Sequence, residues 1–239
     1  MARICIVDYG IGNIHSAMKA LKRFTQDVSL SEDPKEIRDA AALVLPGQGA
    51  FEAGMEGLRV RGLLDEVKTA AAKGKPILGI CLGAQLLLEK GYEFGEWEGL
   101  GLLPGEVVHF PPLKDGAKTP HMGWNSIESA LLVPSPPGRG CPEQSRGAGE
   151  GQERGKAWKG TVLEGVNAGA DMYFIHSYFL KPKDPAHVLA ETMYGGFTFA
   201  SVIGKGNIIG CQFHPEKSGK MGIRIIDNFV RLAQNAARR

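Results

Sequence analysis

The chain has four cysteines and six histidines, and one cysteine differs from the rest in its surroundings. Cys81 lies in Pro76-Ile77-Leu78-Gly79-Ile80-Cys81-Leu82-Gly83-Ala84-Gln85. This reads as an apolar strand that turns abruptly, through Gly-x-Cys-x-Gly, into a helix carrying Leu86, Leu87, Leu88, Glu89 and Lys90. It is the cysteine form of the nucleophile elbow. Glycines flank the nucleophile because bulkier residues would collide with the adjacent backbone of so tight a turn. The turn lifts the sulfur above a sheet edge and aims the first N–H groups of the helix at any oxyanion formed there. On spacing alone, Cys81 could equally be a small buried hydrophobe at a strand end.

A thiol that titrates near 8.5, about the ordinary value, needs a base to react near neutral pH. His214 is the first candidate. It ends an apolar strand, Pro215 fixes the turn after it, and Glu216 lies two residues on, close enough to orient an imidazolium. The order Cys81, His214, Glu216 matches nucleophile, base and orienting carboxylate. His176, beside Ser177 and Tyr178, is the second candidate and lacks a neighbouring carboxylate. His15 on a helix, His109 and His187 on alternating strands, and His121 in a loop read as structural. No compact His/Cys/Asp/Glu set has metal-ligand spacing, so neither metal nor cofactor is expected.

These residues need a scaffold that gathers them. Residues 3–9 read as a buried strand, followed by the turn Gly10-Ile11-Gly12-Asn13 and a helix with Ile14, Ala17, Met18, Leu21 and Phe24 at helical spacing. Gly10-x-Gly12 could cradle a phosphate, but it lacks the third glycine of a dinucleotide fingerprint and fits a turn facing a cleft or partner better. A strand near Val28, a helix opened by Asp33-Pro34, a strand at 42–45 and a helix at 63–72 follow. The alternation predicts a parallel sheet with helices on both faces, and ligands at the carboxyl ends of its strands. Further on, strands are expected at 106–110, 171–178 and 187–194. A hairpin joins 199–203 to 208–213, and a closing helix carries Met221, Ile225, Phe229 and Leu232. Residues 134–156 contain no Val, Ile, Leu, Met or aromatic residue. They read as a flexible surface insertion in a single domain spanning 1–239, with Cys141 an incidental thiol.

Bulk composition narrows the partners. A net charge of +2 with no basic block argues against nucleic acid. No apolar run is long enough to span a bilayer, and Met1 leads directly into Ile4-Cys5-Ile6-Val7. Scattered cysteines without a CxxC pair fit a reducing compartment, so a cytoplasmic protein is expected.

Gly79-Ile80-Cys81-Leu82-Gly83-Ala84-Gln85 together with His214-Pro215-Glu216 resembles the class I, triad-type glutamine amidotransferases. Asp8-Tyr9-Gly10-Ile11-Gly12-Asn13, Pro46-Gly47-Gln48-Gly49-Ala50-Phe51, His121-Met122-Gly123-Trp124-Asn125, Tyr173–Tyr178 and Gln212–Ser218 narrow the likeness. They are similar to the glutaminase subunits of imidazole glycerol phosphate synthase, in histidine biosynthesis. The resemblance covers nearly the whole chain outside 134–156. It implies an α/β, flavodoxin-like fold with a mixed, largely parallel sheet. It also implies hydrolysis of L-glutamine by Cys81, with His214 and Glu216. Leu82 and the Gly47-Gln48-Gly49 stretch would supply the oxyanion N–H groups, and Gln85, Glu93, Ser177 and Tyr178 the substrate pocket. The ammonia would pass to a (β/α)₈-barrel cyclase in a heterodimer, faced by Asn13, Trp124, Asn125 and Lys217. For Trp124 a core position is equally open. Gln48 departs from the small or branched apolar residue the resemblance leads one to expect. Because the elbow is shared by many amidotransferases, a different synthase is an alternative acceptor. A non-catalytic scaffold is the reading from another class, against which the intact Cys81, His214 and Glu216 argue.

Overall fold

The computed structural model describes residues 2–130 and 158–238. The proposed insertion and Cys141 lie outside the described residues. The first strands are β1 (Ile4–Val7), β2 (Val28–Ser31), β3 (Ala42–Leu45) and β4 (Ile77–Ile80), connected by α1 (Ile14–Leu21), α2 (Pro34–Asp39), α3 (Phe51–Val60) and α4 (Leu64–Ala72). After β4 comes α5 (Leu82–Leu86). The second half contributes β5 (Lys90–Gly91), β6 (Trp97–Glu98), β7 (Gly105–His109), β8 (His121–Ser129), β9 (Ala170–His176), β10 (Tyr178–Pro182), β11 (Val188–Tyr194), β12 (Phe197–Lys205), β13 (Ile208–Cys211) and the closing α6 (Gly219–Ala236).

The sheet is mixed. The order β2-β1-β3-β4-β13 is parallel throughout, with β1 between β2 and β3. From β13 the sheet continues antiparallel through β12, β10 and β7. A second run, β12-β11-β8-β9, is also antiparallel. Alternation along each parallel strand divides the core into two layers. Ile4, Ile6, Val44, Leu78 and Ile80 pack with Ala17 and Leu21 of α1 and Ile225 and Phe229 of α6. Cys5, Val7, Leu43, Leu45 and Ile77 face the other way, onto Ile37, Leu58 and Val67 of α2, α3 and α4. Each such fully buried Ile, Leu or Phe contributes about 1.5–3 kcal/mol. Asp33 caps α2 as the sequence predicts, accepting from the Lys35 N–H at 2.8 Å, with Pro34 in the first turn.

Four expectations shift. The helix after Cys81 begins at once, at Leu82, and has already ended before Glu89. Its continuation is lost because the Glu89 N–H pairs with the Gly105 carbonyl, which draws the chain into the sheet beside β7. The strand expected over 171–178 breaks at Ser177, so that β9 pairs with β8 while β10 pairs with β7 and β12. His187 ends a 3₁₀ turn, Pro185–His187, that precedes β11. His121 is not in a loop: it opens β8, fully buried, with its register partner His176 on β9.

Gly57 tests the packing. In the middle of α3, alanine would ordinarily improve on glycine by roughly 1 kcal/mol. Here an added Cβ would lie 2.1 Å from the Tyr9 carbonyl oxygen, a backbone atom. Overpacking of this kind costs about 1–3 kcal/mol and outweighs the propensity gain. Gly57→Ala should therefore lower the thermal midpoint by a few degrees, read by calorimetry.

Candidate active site

Cys81 occupies the junction of β4 and α5 with φ 52° and ψ −107°, a left-handed backbone that only a tightly determined site holds in a non-glycine residue. The two glycines of the elbow make the turn possible. A Cβ on Gly79 would approach the Gly83 oxygen to 2.6 Å, and one on Gly83 would sit 1.8 Å from the Leu45 oxygen. The Cys81 N–H donates to the Cys211 carbonyl of β13 at 2.7 Å, which pins the elbow to the neighbouring strand. The Sγ atom, in a residue 6% exposed, is 3.8 Å from the Ile175 carbonyl and 4.0 Å from Gln212 Nε2.

His214 follows β13 and caps the 3₁₀ turn Pro215–Lys217. Its Nδ1 lies 2.9 Å from Glu216 Oε1, and both side chains are almost completely shielded from solvent. Among the described residues, His214 Nε2 and Glu216 Oε2 have no hydrogen-bond partner. Burial alone would push the imidazolium down. The adjoining Cys81 and Glu216 outweigh it and raise the His214 pKa to about 9. Ser218 stitches this turn to β9: its hydroxyl donates to the His214 carbonyl at 2.6 Å and accepts from the Tyr173 N–H at 3.0 Å. The His214 N–H in turn donates to the Tyr173 carbonyl at 2.9 Å.

Beside Cys81 is a cavity of about 400 Å³ lined by Gln48, Gly49, Leu82, Gln85, Glu93, Pro120, Ile175, His176, Ser177 and Tyr178. All four residues expected to contact substrate are on its wall, as are three of the four expected to surround the oxyanion. Gly47 is set back, buried against Leu82 and the Gly83 nitrogen. No acceptor among the described residues takes the N–H groups of Gln48, Gly49 or Leu82. One Glu93 oxygen accepts from the Phe51 N–H at 2.7 Å, at the start of α3. Gln85 is less available than its spacing implies. It is 5% exposed, and its Nε2 donates to the Tyr178 carbonyl at 2.9 Å and more weakly towards Gln212 Oε1 at 3.4 Å.

The Tyr178 carbonyl takes a second bond, from His176 Nδ1 at 2.9 Å. A carbonyl only accepts, so Nδ1 carries the proton and Nε2 is free to accept from His121 Nδ1, 3.1 Å away. His121 Nε2 lies 2.8 Å from Asn125 Oδ1; a neutral His121 that donates through Nδ1 requires that amide turned over, so that its NH₂ faces the unprotonated nitrogen. Burial first, and the His121 ring second, lower the His176 pKa to about 3. Burial also lowers that of His121. With both nitrogens engaged and no carboxylate partner, His176 is a neutral wall residue, whereas His214 carries a carboxylate partner and has Cys81 for a neighbour. Reading the sequence alone missed the His121–His176 pair, Ser218 and Gln212. The equal positions of His121 and His176 on adjoining strands become visible only with the register.

The four residues expected at a partner surface separate. Trp124, 56% exposed, meets the Tyr173 ring edge-on with centroids 5.8 Å apart, and Lys217 Nζ lies 5.9 Å over the same ring. This resolves Trp124 as a surface residue. Asn125 points to the opposite face of β8, onto His121, because successive strand residues alternate sides. The Asn13 side chain accepts from the Ser16 N–H at 3.4 Å and caps α1. No group of three or more potential metal ligands gathers among the described residues. No helix among them is long and apolar enough to cross a membrane.

Residues 5–233 match the family described as Glutamine amidotransferase class-I. The chain is 41% identical over 235 residues to "Imidazole glycerol phosphate synthase subunit HisH 1" of Legionella pneumophila (strain Lens), covering 97% of this chain and 100% of that protein. It is 40% identical over 230 residues to "Imidazole glycerol phosphate synthase subunit HisH" of Lactococcus lactis subsp. lactis (strain IL1403), covering 96% and 98%. A solved structure titled "Crystal structure of glutamine amidotransferase" superposes with a TM-score of 0.67 at 19% identity, over 97% of this chain and 98% of that one, a likeness of fold. Elbow, sheet order and these matches agree: the chain belongs to the class-I glutamine amidotransferase family and groups within it with the HisH subunits of imidazole glycerol phosphate synthase.

Proposed function

We propose that this chain hydrolyses L-glutamine to glutamate and ammonia and delivers the ammonia to a (β/α)₈-barrel cyclase subunit. The products there would be imidazole glycerol phosphate and aminoimidazole-carboxamide ribotide. The observation that carries the reading is the strained Cys81 turn beside the buried His214–Glu216 pair, opening on a cavity of about 400 Å³. Cys81 Sγ attacks the side-chain amide carbon of glutamine. The N–H of Leu82 and one from the Gly47-Gln48-Gly49 stretch stabilise the oxyanion, each such donor being worth roughly 10²–10³ in rate. His214 Nε2, protonated, gives its proton to the leaving ammonia. It then accepts a proton from the water that cleaves the glutamyl thioester, and Glu216 steadies the imidazolium throughout. Glu93 receives the substrate's α-amino group, while Ser177 and Tyr178 close the far wall.

The exposed Trp124, with Tyr173 and Lys217, supports a cyclase-facing surface here. An exposed aromatic supported by a second ring suits an interface anchor.

Three measurements test the reading. Cys81→Ala should lower glutamine hydrolysis by at least about a thousandfold with an unchanged circular dichroism spectrum; turnover at the parent rate would refute it. Trp124→Ala should weaken capture of the cyclase by about tenfold or more, read by surface binding, without shifting the melting temperature. The third concerns pH. His214 has its folded pKa raised above its unfolded value near 6.5, so its protonation stabilises the fold fully below that value. That contribution is lost as the pH climbs from 6.5 to about 9. The melting temperature of the parent should therefore exceed that of Glu216→Gln most at pH 6 and converge towards it by pH 9, in parallel thermal melts.

A further inference from the structure

Among the buried polar groups that the mechanism above leaves unused is the hydroxyl of Tyr9. Tyr9 follows β1 and is 1% exposed, and its hydroxyl donates to the Pro46 carbonyl at the start of the loop that runs to Gly49. The contact is crowded by design of the backbone: a Cβ on Gly47 would meet the Tyr9 hydroxyl at 2.9 Å and the Leu82 Cβ at 2.5 Å. From the other side, a Cβ on Gly12 would come within 3.3 Å of the Gly47 Cα and nitrogen. The Tyr9 main chain is itself held against Gly57 of α3. The root of the loop is thus gripped by a fixed phenol, while Gln48 and Gly49 beyond it are exposed.

Peptide planarity transmits that grip. Carbonyl and following N–H lie in one plane and point in opposite directions, so fixing the Pro46 oxygen fixes the Pro46–Gly47 peptide as a whole. Gln48 and Gly49 extend from this peptide to the cavity, with Gly49 at φ 132°. If the Pro46–Gly47 peptide rolls, the N–H groups beyond it swing away from Cys81. Burial and the nearby Cys81 both raise the phenol's pKa, so Tyr9 keeps its proton and always donates.

We propose that Tyr9 is a positioning residue for glutamine hydrolysis: by holding the Pro46 carbonyl, its hydroxyl aims the N–H groups of the Pro46–Gly49 loop at the oxyanion formed above Cys81. The proposal rests on the glutaminase reading and assigns Tyr9 no contact with substrate.

Tyr9→Phe removes one oxygen and keeps the ring. Two reactions of Cys81 then separate its roles, measured on the full chain alone and with the cyclase. Glutamine hydrolysis passes through an oxyanion, whereas alkylation by iodoacetamide is a displacement at carbon that forms none. Tyr9→Phe should lower kcat by about tenfold, a part of what loss of a whole donor costs. KM should stay within about twofold and the alkylation rate of Cys81 should not change. An unchanged kcat, or equal falls in hydrolysis and alkylation, would overturn the proposal. So would general unfolding, betrayed by rapid alkylation of the buried Cys5 and Cys211, since Tyr9 would then be only a fold determinant. A parent chain that hydrolyses no glutamine under either condition would instead overturn the glutaminase reading, and this assignment with it.

Discussion

The close approach of α5 to the ends of β3 and β4 governs the rest of the molecule. There is room for Gly83 to touch the Leu45 carbonyl and for nothing larger. Given that approach, the chain can leave β4 and enter the helix only through a left-handed residue at 81, and the sequence places a cysteine there instead of a glycine. Such a residue costs of order 1–3 kcal/mol. The cost is offset by the fully buried strands on either side and by the 2.7 Å bond from the Cys81 N–H to β13. In exchange the thiol stands clear of the sheet, next to the unpaired N–H of Leu82. The same parallel core brings β13 alongside β4, so a histidine at the end of β13 arrives beside a cysteine at the end of β4 despite the long separation in sequence.

Burial acts on both site histidines, yet they end in opposite states. His214 is shielded with an anion on one side and a thiol on the other, and its charged form is favoured. His176 is shielded with a second imidazole, and its charged form is suppressed. Desolvation alone would have made both neutral; the partners decide. A ring that holds a proton is equipped to act as an acid, and a ring that stays neutral makes a polar but uncharged wall. The division of roles follows from which strand each neighbour sits on, since Glu216 shares the turn of His214 and His121 shares the register of His176.

Local pattern was enough to read the parallel half of the fold, because its signals are local: apolar four-residue strands, the Asp33-Pro34 helix start, and glycines at the elbow. Cys81, His214 and Glu216 were legible for the same reason, each marked by an unusual neighbour. The losses have a common cause. The end of α5 at Leu86 depends on Glu89 pairing with Gly105, and the break at Ser177 depends on two different partner strands. Neither is encoded in the windows where they occur. Asn13, Asn125 and Gln85 also make hydrogen bonds inside the fold, to a helix end, to His121 and to a carbonyl of β10, which their motifs do not reveal.

Strand β8 presents its two faces to different worlds. Met122 and Trp124 project outward, 64% and 56% exposed, while His121 and Asn125 project inward. From His121 an unbroken series of hydrogen bonds runs through His176 to the carbonyl of Tyr178 on the cavity wall. Five consecutive residues therefore set an exposed aromatic on one side of the strand and, on the other, a run of hydrogen bonds that ends on the cavity wall.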